Sequence, residues 1–90
     1  MIHSMITGRL IARREVNGHL QAKIALADDT IVFVVVRRSS LRRQIESIHL
    51  GFTLCVSGTL STSVQEGEKG YFVRRELLAT AALSPIAEAQ

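Results

Sequence analysis

Nine of the eleven basic residues in this 90-residue chain are arginines, and arginine presents a planar fork that grips phosphate oxygens and stacks on flat groups. Arg9, Arg13, Lys23 and Arg37 fall at alternate positions of segments that read as strands, on the side opposite the apolar set and beside Phe33. Arg75 and Tyr71 repeat the cation-and-ring combination nearer the C-terminus. An unpaired polynucleotide calls for that combination: charge along a groove for its phosphates, and flat surfaces on which bases stack for about 1–3 kcal/mol each. The formal net charge is only +3, so local placement matters more than the total.

Other chemistries find little support. His3, His19 and His49 sit on the N-terminal segment, a hairpin edge and a helix end, without the spacing of a metal pair. Cys55 lies in mid-strand with no nucleophile elbow and no second cysteine, and reads as a packing residue. Gly67-x-x-Gly70 is a hairpin turn rather than a phosphate loop. No catalytic residue, metal or cofactor is therefore expected. One cysteine also excludes an internal disulfide and fits a reducing compartment, with the cytoplasm as the expected location. No apolar run approaches the roughly 20 residues of a membrane span, and no charged-then-apolar leader pattern precedes the first strand.

The elements that must carry these side chains follow from periodicity. Met5 to Ala27 reads as two strands about an Asn17-Gly18 turn. Ile6, Gly8, Leu10 and Ala12 are predicted inward on the first strand, with Thr7, Arg9, Ile11 and Arg13 outward. On the second, Leu20, Ala22, Ile24 and Leu26 face inward and His19, Gln21 and Lys23 outward. Asp28-Asp29 makes a turn into a third strand, Thr30 to Val36, too β-branched for a helix. Its outward set of Ile31, Phe33, Val35 and Arg37 requires a cover, whether a ligand base or a second subunit. Ser39-Ser40 supplies N-cap candidates for a helix over Leu41 to His49, ended by Gly51. Phe52 to Ser63 and Tyr71 to about Ala82 are strands four and five around the turn Glu66 to Gly70. Arg74 and Arg75, being adjacent, must point to opposite faces.

Three strands, a short helix and a hairpin give the order of a five-stranded Greek-key OB barrel, an all-β fold. A ferredoxin-like chain needs two helices, and an SH3-like barrel does not place its helix between strands three and four. Residues 1–83 are expected to form the barrel and residues 84–90, beginning just before Pro85, a tail. Gly8 and Gly58 are candidates for relieving crowding where coiled strands bend.

Leu50 to Ser63, the acidic-glycine turn and Tyr71-Phe-Val-Arg-Arg75 resemble the last two strands of bacterial single-stranded DNA-binding proteins, with Ile6 to Leu10 and Phe33 to Arg37 similar in place and character. Primosomal replication protein B relatives share these features. The resemblance implies a non-catalytic protein that binds single-stranded DNA as an accessory to replication, repair or recombination, and that assembles as a homodimer or homotetramer. On the strand reading, Arg9, Arg13, Lys23, Arg37 and Arg75 are expected to hold phosphates, and Phe33 and Tyr71 to stack bases. RNA is the other polyanion such a surface would accept, since no residue here identifies a 2′-hydroxyl reader. The chain departs from the pattern in having no Trp, hairpin loops cut to Asn17-Gly18 and Glu66 to Gly70, and a single carboxylate side chain after Leu83. These departures favour a second expectation, an OB-fold protein-interaction module without nucleic-acid binding.

Overall fold

Asn17 and Gly18 both take positive φ, 52° and 81°, giving the mirror-image turn whose twist matches that of the strands it joins. In the computed structural model, which describes residues 2–83, this turn links β1 (Ile2–Val16) to β2 (His19–Ala25) through the terminal pair Val16 and His19. Asp29, at φ 65°, turns the chain into β3 (Ile31–Val36). The Asp28 carboxylate accepts a hydrogen bond from the Thr30 N–H at 3.0 Å, and bonding to Thr30 holds its pKa below the usual aspartate value. Helix α1 (Ser39–Glu46) follows, then β4 (Thr53–Gly67) and β5 (Gly70–Leu83).

The strands close into a barrel in the order β1-β2-β3-β5-β4. All pairings are antiparallel except the β3–β5 seam, which is the five-stranded OB arrangement that the element order predicts. Alternation fills the interior: Leu10, Ile24, Val32, Val34, Val36, Leu54, Val56 and Leu77 are buried in one cluster. Leu41, Ile45 and Ile48 plug one end of it, at the helical spacing read from the sequence. A Cβ on Gly58 would collide with the backbone of Leu78, and one on Gly8 with the Ala25 carbonyl oxygen. These two glycines therefore let neighbouring strands pass closely.

Several boundaries and one register differ from expectation. The helix N-cap is Arg38, with no side-chain cap bond, and Ser39 and Ser40 lie within the first turn. The helix stops at Glu46, three residues short of His49, because the chain turns to bring the Gly51 N–H to the Leu10 carbonyl and the Leu10 N–H to the Phe52 carbonyl. Gly51, at φ 93°, belongs to that connection rather than to the helix end. Strand β1 begins at Ile2 and contains a bulge between Leu10 and Ala12, which inverts the facing of every residue after it.

The β4–β5 hairpin is not cut short. Its turn is two residues, but the strands remain paired up to Gly67 and Gly70, so a two-stranded arm projects beyond the barrel and residues 61–66 and 71–73 are exposed on both faces. The expected tail, residues 84–90, lies outside the described residues.

Candidate functional site

The outward face of β1, β2, β3 and β5 holds the densest meeting of cations and an aromatic ring. Lys23 pairs with Ala12 on one side and with Phe33 on the other, and Phe33 pairs in parallel with Glu76. One step along, Arg14 pairs with Gln21 and Gln21 with Val35. Facing residues of paired strands share a side of the sheet, so Arg14, Gln21, Lys23, Phe33 and Val35 form one surface. Arg74, two residues before Glu76 on β5, joins the same side.

The half-buried Phe33 ring is bracketed by charge. The Arg74 Cζ stands 3.9 Å from the ring centroid and the Lys23 Nζ 5.6 Å from it, both within range of cation–π attraction. An Arg74 Nη2–Glu76 Oε2 contact of 3.5 Å ties the guanidinium edge to its own strand. Ala12, Arg13, Arg14, Gln21, Lys23, Phe33 and Arg74 border an open concavity over this ring. Among the described residues Lys23 and Arg14 make no ion pair, which leaves their charge available to an anion that enters.

Not every residue assigned from the sequence arrives here. The bulge in β1 places Arg13 opposite the buried Ala22 and Arg14 opposite Gln21. Although Arg13 borders the concavity, its guanidinium donates to the Ile45 carbonyl at 3.3 Å and to the Ile48 carbonyl, clamping the C-terminal end of α1. Arg14 is the outward cation that parity assigned to Arg13. The one trace of this in the sequence is the broken alternation of Leu10-Ile11-Ala12 before two arginines.

On β5, Arg75 pairs with the buried Val32 and so takes the inward parity at the barrel mouth, where its charge acts on Asp28. Tyr71 has the same parity on the arm, opposite Glu66, while Phe72 shares the side of Arg74. Choosing between Arg74 and Arg75 required the parallel β3–β5 register, which strand alternation does not contain. Arg9 is exposed and pairs with Ala25 and Thr53, bordering a neighbouring concavity with Thr7 and Asp29. Arg37 is exposed just past the end of β3. On the helix, Arg42 is held by Glu15 at 2.9 Å and Glu46 at 3.2 Å, which raise its already high pKa and pin α1 to β1.

Among the described residues, no group of three or more His, Cys, Asp or Glu could hold a metal ion, and no helix is long and apolar enough to cross a membrane.

No protein-family model and no curated protein matches this sequence. Solved structures do match its fold. The small single-stranded DNA-binding protein from Streptomyces coelicolor superposes with a TM-score of 0.75 at 14% identity, over 97% of this chain and 96% of its own. The second single-stranded DNA-binding protein of Mycobacterium smegmatis gives 0.70 at 20% identity, over 98% and 90%. A mitochondrial single-stranded DNA-binding protein of S. cerevisiae gives 0.68 at 18% identity, over 90% and 89%. The likeness spans the whole barrel, and at these identities it is a likeness of fold.

Proposed function

We propose that this protein is a non-catalytic single-stranded DNA-binding protein of the cytoplasm, accessory to replication, repair or recombination. One observation carries the reading: Phe33 lies on an outward barrel face between Lys23 and Arg74, with Arg14 and Gln21 beside it. Cations spaced along a sheet can follow a phosphate backbone, and a ring among them gives bases a planar support. Arg14 and Lys23 hold phosphates, and Arg9 and Arg37 extend the path to either side. The structural neighbours, whose names describe single-stranded DNA-binding proteins, support the choice of ligand.

The test is anisotropy of labelled single- and double-stranded oligonucleotides at two salt concentrations. The single strand should bind more tightly, and its log affinity should fall with log salt by about 0.7 for each phosphate neutralised. No binding at low ionic strength, or affinity indifferent to salt, would overturn the reading.

A second reading, self-association, has its own observation. The first half of β1, Ile2–Gly8, pairs only with β4 among the described residues, since pairing with β2 begins at Arg9. Ile2 and Met5 are exposed there, and Met5 sits with Cys55, Ser57 and Ala81 on an uncharged surface. An open strand edge beside such a surface suits addition of a second copy, giving the homodimer or homotetramer without covering Phe33.

A further inference from the structure

We propose that the Arg74 guanidinium, rather than the bare Phe33 ring, is the surface on which a base stacks, an assignment that rests on the single-strand reading above. At 3.9 Å from the centroid the guanidinium carbon is in van der Waals contact with the ring. That side of Phe33 is therefore occupied before any ligand arrives. From the other neighbouring strand the Lys23 Nζ stands 5.6 Å from the same centroid, so Arg74 is the nearer of the two cations to the ring. A base that stacked directly on Phe33 would first have to displace Arg74 and forfeit its attraction to the ring.

Arg74 offers a route that displaces nothing. Its guanidinium is planar and delocalised, and such a group stacks on bases as it does on aromatic side chains. Glu76, 3.5 Å away, meets the group through one Nη, so this ion pair does not use the face turned away from Phe33. The Arg74 side chain is 24% exposed and borders the concavity that Arg14, Gln21 and Lys23 also border. The ring below, the guanidinium above it and an incoming base form a three-tier stack, with positive charge at the level where the phosphates pass. This arrangement gives a chain without tryptophan a flat platform built from one phenylalanine and one arginine.

Arg74→Lys separates the plane from the charge. Oligodeoxynucleotides with a single 2-aminopurine at successive positions report both stacking, by fluorescence quenching, and affinity. In Arg74→Lys the most quenched position should recover its fluorescence and affinity should fall about tenfold, the loss of one stacked base, with the salt slope unchanged. Phe33→Leu, which keeps the guanidinium and an apolar support, should lose less of both. The assignment is overturned if Arg74→Lys matches the wild type, or if Phe33→Leu abolishes quenching that Arg74→Lys retains, the order expected for direct stacking on the ring. Wild-type protein that binds no oligonucleotide at low salt overturns the single-strand reading instead. Thermal melts of both variants confirm that the barrel is intact.

Discussion

The last carbonyls of a helix have no partner within it; the Arg13 guanidinium donates to one of them, that of Ile45 in the last turn of α1, and to the carbonyl of Ile48 just beyond the helix. Those two residues plug the barrel end, so the arginine acts on the core through the helix. Its neighbour Arg14 faces the concavity over Phe33 and has no such task. Arg13→Ala is therefore expected to lower unfolding stability by about 1.5–3 kcal/mol, the range for hydrogen bonds to a charged group, while leaving the salt slope of oligonucleotide binding unchanged. Arg14→Ala should do the reverse, leaving stability intact and reducing the slope. Paired denaturant titrations and binding isotherms would show the exchange, and equal effects in both assays would contradict it.

The β4–β5 hairpin serves two ends along its length. Leu54, Val56, Leu77, Ala79 and Ala82 belong to the core, whereas Val64, Tyr71, Phe72 and Val73 are exposed by half or more. The arm beyond the Ser63–Arg74 pair adds no residue to the buried cluster, and it carries Phe72 on the side of the proposed platform. Removing residues 64–73 and joining Ser63 to Arg74 through Asn-Gly reproduces the two-residue connection of β1 and β2. The shortened protein should still unfold cooperatively, because its core is complete, and should cover fewer nucleotides per molecule in a stoichiometric titration. Loss of the cooperative transition would mean that the arm is required for folding.

A barrel of this size has limited core from which to draw stability, and association is a common supplement. The uncharged surface around Met5 and the open edge of β1 lie away from the concavity over Phe33, so assembly and binding need not compete. Met5→Glu places a charge in the middle of that surface. Sedimentation velocity should find the wild type dimeric or larger and the variant shifted to monomer, with each monomer still binding oligonucleotide. A wild type that sediments as a monomer would remove the self-association reading and leave the binding surface untouched.

Local pattern by itself determined the five strands, the helix between the third and fourth, the inward facing of Leu20, Ala22 and Ile24 on β2, and the outward placement of Lys23 and Phe33, because alternation and turn chemistry act between near neighbours. The Asn17-Gly18 turn belongs with these, whereas the strands that pass closely at Gly8 and Gly58 are distant in sequence. Tertiary structure decided which arginines meet Phe33. A single extra residue in β1 exchanged Arg13 for Arg14, and the parallel seam between β3 and β5 selected Arg74 over Arg75. It also decided that the last hairpin stands out as an arm. Each of these depends on how distant strands align when the barrel closes, and a shift of one residue in that alignment turns a side chain from the groove to the core.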